Sequence, residues 1–569
     1  MRKEHRNKEG KITHIETTLT GKALLNAPSL NKASAFSEEE RLKFGISALL
    51  PIAEETIDEQ TQRCYQQYLE KKSSIQKSIY LHSLKEHNAT LFYKLVSSHL
   101  EEMLPIVYTP TIGESVERYS HESRKAEGLF LSYPQREQME TVFKEHVGRD
   151  IDVIVVTDGE GVLGIGDQGV GSVEIAIGKL MVYTLCAGIN PNRVLPIVLD
   201  VGTNNQHLLN DPKYLGWRHS RICQEEYDKF IQQFVGMVRK YLPNTYLHWE
   251  DFGRENARRI LEKYRGEFAT FNDDMQGTGM VATANVLAAS DVMKKDICEH
   301  TIVLLGAGTA GVGIVDQLCG AMIQAGADPD TVRQQVYLVD RQGLLVDDMP
   351  DLVDFQMPYV RSKTDIANWQ GIDSEQGINL ETVVLNVKPS VLIGCSTVFG
   401  AFNEKIVRTM AEAHQHPIIM PLSNPNSHCE ADPTDLMHWT NGRALIACGS
   451  PYPPVQYEGQ SYRIAQGNNA FVYPGLGLGV IASKAKKVSD GMLNAACRAL
   501  SECSPVRKDK TAPLLPNFAD VREVSLHVAK AVIQQAIDEQ IAGIDPQSDL
   551  DALLNHHTWE PAYYPYTQE

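Results

Sequence analysis

Two acidic clusters and one glycine-rich turn carry most of the chemistry legible in this 569-residue chain. Leu247-His248-Trp249-Glu250-Asp251-Phe252 places two adjacent acids at the end of a short apolar segment. Phe271-Asn272-Asp273-Asp274-Met275-Gln276-Gly277-Thr278 places two more a little further on. Carboxylates in apolar or glycine-containing frames are costly to bury unless they are paired or bind a metal. Three or four converging carboxylates suit a hard divalent cation, Mg²⁺ or Mn²⁺, which takes oxygen ligands. By spacing alone the same residues also read as two solvated turns.

The glycine turn is Gly306-Ala307-Gly308-Thr309-Ala310-Gly311. Such a motif is a weak signal in isolation. Here it follows the apolar run Thr301–Leu305, opens a helical stretch, and is followed by a second strand, Gln335–Asp340, that closes on an acid. That context predicts a dinucleotide site. Gly306 permits the tight turn, Gly308 lets backbone approach a pyrophosphate, and Gly311 lets helix and strand pack closely. The helix N-terminus offers free N–H groups and a positive dipole end. Asp340 is expected to accept hydrogen bonds from the adenine ribose, which favours NAD over NADP, although Arg341 beside it softens the repulsion of a 2′-phosphate. The bland alternative is a glycine-rich turn that binds nothing.

The elements that must position these residues follow from periodicity. Residues 37 to 125 read as helical, with Ser37 as an N-cap before three acids and Thr90–Val96 on an amphipathic helix. Ile151–Val156, Val194–Asp200, Thr301–Leu305, Gln335–Asp340, Val391–Gly394 and Pro417–Met420 read as buried strands separated by helices. Strands alternating with helices imply an α/β chain with a parallel, doubly wound sheet. After 480 the pattern is helical again; residues 1–20 read as polar and either mobile or docked on a partner subunit, and the tail from about 545 reads as a polar and aromatic surface segment.

Bulk properties narrow the function. A net charge of -18 disfavours nucleic-acid binding, which needs a basic face. No apolar run approaches the roughly 20 residues needed to span a bilayer, and the N-terminus lacks the apolar core of a signal peptide. Ten scattered cysteines, with no CxxC pair, suggest reduced thiols and a cytoplasmic location.

Several motifs then stand in a recognisable order: Tyr108-Thr109-Pro110-Thr111, Val156-Thr157-Asp158-Gly159-Glu160, Gly178-Lys179-Leu180, Glu250-Asp251-Phe252, the Asn272–Thr278 stretch, Leu422-Ser423-Asn424-Pro425 and Gly467-Asn468-Asn469. In this the chain resembles the malic enzymes over roughly residues 25–540. The resemblance implies NAD- and Mn²⁺- or Mg²⁺-dependent oxidative decarboxylation of L-malate to pyruvate and CO₂. It implies Glu250, Asp251 and Asp274 as metal ligands, Lys179 as general base, Asp273 as the carboxylate orienting it, and Tyr108 as the acid that protonates C3. Asn424 and Asn468 would bind nicotinamide or the substrate carboxylate, beside Gly306, Gly308, Gly311 and Asp340 at the cofactor. Read without the resemblance, Tyr108 is also a core residue, Lys179 a surface cation and Asn424 a turn cap.

The implied architecture is a helical N-terminal domain (1–126), an α/β catalytic domain (127–272), a Rossmann-like NAD domain (273–469), a return to the catalytic domain (470–540) and a tail (541–569). The active site is expected in a cleft between domains, and the chain is expected to form a homodimer or homotetramer through its N-terminal helices.

One position departs from the pattern. Malic enzymes usually carry an arginine directly after the Asp-Gly-Glu turn, and here the residue is Gly161. Glycine there, together with Leu209–Gly216, Ile177–Thr184 and His248–Arg254, is similar to the malolactic branch, which converts malate to lactate and CO₂ with bound NAD and Mn²⁺. Tyr108–Thr111 and Cys448-Gly449-Ser450-Pro451-Tyr452 keep the malic form. Arg118, Arg124 and Arg136 are the sequence candidates to replace the missing cation.

Overall fold

The structure, a computed structural model, describes residues 2–122, 125–146, 150–162, 164–372 and 377–568. They form two compact units. The first comprises Met1–Gly253, Val480–Lys486 and Ile541–Glu569; the second comprises Arg254–Gly479 and Lys487–Gln540.

In the first unit, helices Glu38–Lys43, Ile57–Leu69, Ser74–His87, Ala89–Ser98, Leu100–Val107 and Thr111–Arg118 make up the expected helical region. Ser37 caps the first of these in a capping box: its hydroxyl accepts from Glu40 N, and the Glu40 carboxylate accepts from Ser37 N. Four strands then run in parallel, in the order Leu129–Ser132, Val194–Asp200, Val153–Thr157, Tyr246–Trp249. The central strands are buried along almost their whole length, which explains their continuous apolar sequence. Helix Val173–Val182 packs on Val153–Thr157 and Val194–Asp200, and helix Thr111–Arg118 packs on it in turn.

The segment Gly169–Ala187 is 19 residues long, and its mean hydropathy of 1.5 is high enough for a bilayer span. This corrects the expectation that no apolar run approaches that length. All of it is buried within the fold, and it carries Glu174 and Lys179.

The chain ends are more ordered than a polar surface segment. Arg2–Arg6 and Ile12–Thr17 form an antiparallel hairpin, and Tyr566–Gln568 adds to it in parallel, pairing Tyr566 with Ile15. Tyr566 is anchored by edge-on contacts to Phe36 and Phe44, and its N–H donates to Glu40 Oε1 at 2.8 Å. Trp559, also buried, meets Tyr93 edge-on. The tail's aromatic residues, expected on the surface, are thus what bury it against the fold.

The second unit is built on a seven-stranded sheet, in the order Gly343–Leu344, Val336–Asp340, Ile302–Leu305, Val391–Gly394, Ile418–Pro421, Leu445–Cys448, Ala465–Gln466. Every pairing is parallel except that of Gly343–Leu344 with Val336–Asp340. Chain order reverses between Ile302–Leu305 and Val391–Gly394. In a doubly wound sheet the crevice beyond the carboxyl ends of such a strand pair is where ligands bind.

This division differs from the sequence-based one. Of residues 470–540, expected to rejoin the catalytic domain, only Val480–Lys486 belong to the first unit. Helix Asp490–Glu502 packs on Thr278–Met293 and Thr309–Gln324, and Val521–Asp538 packs on it. Gly475 and Gly479 allow close approach to Val528 and Val532, where an added Cβ would meet side-chain carbons at 2.8 and 2.7 Å. Helix-on-helix burial therefore assigns this segment, and periodicity alone could not tell which partner it would choose.

Candidate functional site

In the first unit the chemistry lies at the carboxyl ends of two neighbouring strands. Val156 pairs with Trp249, so the turns that follow, Asp158–Gly161 and Glu250–Phe252, emerge side by side. Gly161 N donates to Asp251 O at 3.0 Å. A Cβ on Gly161 would lie 2.8 Å from Phe252 O, closer than real Cβ contacts come. Glycine at 161 is thus what lets this turn lie against the acidic segment. Asp251 is held at φ 56°, a left-handed conformation that is strained for a residue with a side chain.

Lys179 is buried, not a surface cation. Its Nζ lies 3.0 Å from Glu250 Oε1, and both side chains are 4% exposed. The other Glu250 oxygen meets His248 Nε2 at 2.7 Å, and His248 Nδ1 meets Tyr183 OH at 2.8 Å. Residues 248 and 250 project to one face because strand side chains alternate. The ammonium also sits 5.4 Å from the Tyr108 ring centroid. Gly178 makes room for this: a Cβ there would meet Ile112 Cδ1 at 2.3 Å and Tyr108 Cδ2 at 3.3 Å. Tyr108 is buried as well, so its apolar and chemical readings are compatible. Buried carboxylates with a strained backbone suit an oxygen-ligating cation. His248 and Tyr183 were missed, and the only sequence signal for His248 is its two-residue spacing from Glu250.

The expected arginine substitutes do not gather here. Arg118 pairs with Glu114 at 3.1 Å and Glu122 at 2.9 Å on the surface, Arg136 stacks on Tyr133, and Arg124 lies outside the described residues. A half-buried cation, Arg221, stands beside the Asp158 turn and donates to the Asp158 carbonyl at 2.9 Å and to both Asp167 oxygens at 2.9 and 3.0 Å. Burial pushes the Asp158 carboxyl up, and the Arg221 charge and the Tyr227 hydroxyl, 2.6 Å away, offset it.

In the second unit, Asp273 and Asp274 open the turn Asp273–Gly277, which leads into helix Thr278–Met293. Asn272 caps that turn by accepting from Met275 N. Asp273 Oδ2 accepts from Asn469 Nδ2 at 3.0 Å. Asn468, the expected ligand residue, uses its Oδ1 to accept from Ala470 N, so it caps a turn while its neighbour reaches the acid. Asn424 Oδ1 accepts from Ser450 Oγ at 2.5 Å.

The glycine turn has the predicted form. Gly306 takes φ 103°, and a Cβ on it would strike Cys395 O at 2.4 Å. Gly308 is the N-cap of helix Thr309–Gln324, and a Cβ on Gly311 would strike Gly306 O at 2.1 Å. Asp340 closes the second strand, and its Oδ1 accepts from Arg341 N at 2.9 Å. A residue that the sequence reading passed over stands above the turn: a Cβ on Gly308 would lie 3.4 Å from the Arg254 guanidinium. That group is exposed and makes no ion pair among the described residues, while the Arg254 carbonyl accepts from Thr309 Oγ1 at 3.2 Å. Open backbone, a helix N-terminus and a free guanidinium fit the pyrophosphate of a dinucleotide.

Comparison with known proteins agrees with both halves. Residues 85–265 match the family model for the malic enzyme N-terminal domain, and residues 275–537 match that for the malic enzyme NAD binding domain. The NAD-dependent malic enzyme of Proteus mirabilis is 47% identical over 546 residues, covering 96% of each chain. NAD-dependent malic enzyme 3 of Bacillus subtilis is 48% identical over 553 residues, covering 97% of each. The crystal structure of Entamoeba histolytica malic enzyme superposes with a TM-score of 0.54 at 21% identity, covering 85% of this chain and 88% of that one, and so supports the fold. With family models spanning both units and relatives aligned almost end to end, the chain belongs to the malic enzyme family.

Proposed function

We propose that this protein catalyses NAD-dependent oxidative decarboxylation of L-malate to pyruvate and CO₂. The observation that carries the reading is near full-length identity of 47–48% to NAD-dependent malic enzymes. The buried Lys179–Glu250 pair beside Tyr108 adds chemical support. By the family resemblance, Glu250, Asp251 and Asp274 would hold Mn²⁺ or Mg²⁺. When bound, the ion supplies Lewis-acid polarisation and NAD supplies the hydride acceptor.

Lys179 takes the proton from the malate 2-hydroxyl, and Tyr108 returns one to C3 after CO₂ leaves. By the family resemblance, Asp273, which Asn469 holds at 3.0 Å, would be the orienting carboxylate. Gly306, Gly308, Gly311 and Arg254 would receive the pyrophosphate, Asp340 the adenine ribose, and Asn424 and Asn468 the nicotinamide or the substrate carboxylate. Apolar residues exposed on the N-terminal helical region, Leu42, Leu49, Ile52 and Leu69, favour association of copies as a homodimer or homotetramer.

Gly161 favours a second reading, the redox-neutral conversion of malate to lactate. The motif content serves both reactions, and they differ in whether NADH and pyruvate leave before hydride returns. Incubation with L-malate, NAD and Mn²⁺ decides. NADH and pyruvate accumulating in equal amounts is the expected result; lactate without NADH would overturn it.

A further inference from the structure

Glu430 is fully buried, yet no cation faces it among the described residues. Its compensation comes from two loops. Oε1 accepts from Ser396 N at 2.8 Å, Ser396 Oγ at 2.8 Å and Ser423 Oγ at 2.6 Å, while Oε2 accepts from Ser423 N at 3.3 Å. Ser423 Oγ in turn accepts from Thr397 N at 2.9 Å, and Thr397 is held at φ 58°. Room for the carboxylate comes from Gly394, where a Cβ would lie 2.5 Å from the Glu430 carboxyl carbon.

The two loops are the ones that leave strands Val391–Gly394 and Ile418–Pro421, at and beside the reversal point of the sheet. Each leads to one half of the cofactor machinery. The Cys395–Ser396 backbone abuts the glycine turn, since a Cβ on Gly306 would fall 2.4 Å from Cys395 O and 2.8 Å from Ser396 N. Ser423 immediately precedes Asn424. A single carboxylate therefore ties the loop behind the pyrophosphate turn to the loop carrying the nicotinamide-side amide.

We propose that Glu430 is a positioning residue that sets the spacing between these two halves, so that both ends of one dinucleotide engage at once. The proposal rests on the NAD reading above. Binding through two connected halves exceeds either alone only while their spacing matches the ligand. Loss of the clamp should therefore weaken the whole dinucleotide more than it weakens a fragment that touches one half.

The test measures binding to the metal-free protein by titration calorimetry, with NAD and with ADP-ribose, for wild type, Glu430→Gln and Ser396→Ala. The glutamine variant keeps shape and one acceptor; the alanine variant removes one donor and leaves the carboxylate, which covers the case in which Glu430→Gln fails to fold. Expected is a loss of about tenfold or more in NAD affinity, with ADP-ribose affinity within about twofold, for Glu430→Gln and a smaller change of the same kind for Ser396→Ala. Equal weakening of both ligands, or unchanged NAD affinity in a folded variant, overturns the proposal. Failure of the wild type to bind NAD instead sinks the cofactor reading itself.

Discussion

Lys179 and Glu250 form a buried ion pair at 3.0 Å, and the carboxylate is shared with His248 at 2.7 Å. One acid thus compensates a buried cation while standing where a metal ligand is expected. Lys179→Ala should lower turnover by about 10²–10⁴-fold, the range for a lost proton-transfer group, while NAD affinity in calorimetry stays within about twofold. It should also cost about 3 kcal/mol of stability, because Glu250 loses its charge partner in the interior. Wild-type turnover in the alanine variant would remove Lys179 from the mechanism.

Gly161 is fixed by packing as much as by chemistry. Gly161→Arg should not restore an arginine contact to malate, because the new Cβ lies 2.8 Å from Phe252 O and must push the Glu250–Phe252 segment. Overpacking of this kind costs about 1–3 kcal/mol. The variant is expected to titrate Mn²⁺ more weakly, with no decrease in the KM for malate. Tighter malate binding with an unchanged Mn²⁺ curve would show that the segment moves freely.

Arg254 over the glycine turn should act on phosphate. Arg254→Gln is expected to weaken both NAD and ADP-ribose by about tenfold, the lower end for a lost charge-assisted hydrogen bond, and to leave adenosine binding unchanged. The salt dependence of NAD affinity should become shallower. Identical affinities and salt slopes in the two proteins would assign the guanidinium to solvent.

His300 confers acid sensitivity on the second unit. It is fully buried between Ser290 and Ser390, 2.9 Å from each hydroxyl, and burial lowers its pKa to about 4. The folded state therefore binds fewer protons than the unfolded state between the unfolded value of 6.5 and about 4. Stability from the neutral ring is complete above the unfolded value and is lost as pH falls through that window, by about 3 kcal/mol in all. Denaturant melts at pH 7, 5.5 and 4.5 should show a steeper loss for wild type than for His300→Gln. Parallel losses would place the sensitive group elsewhere.

Local order in the chain was enough for much of this molecule. The glycine turn between an apolar strand and a helix, the acid at 340 and the Ser37 capping box are each made by residues close in sequence, so their geometry follows from their spacing. The buried strands were legible for the same reason: a run of branched apolar residues has few other places to go. Folding decided what depends on residues far apart. Only packing shows that Asn469 reaches Asp273 while Asn468 caps a turn, that Arg254 stands over Gly308, and that Glu430 joins two loops. Only packing assigns helix Asp490–Glu502 to its unit and buries Tyr566 beside Phe36. Each of these contacts joins segments whose separation along the chain carries no information about their distance in space, and the burial that creates them exists only once the cores have formed.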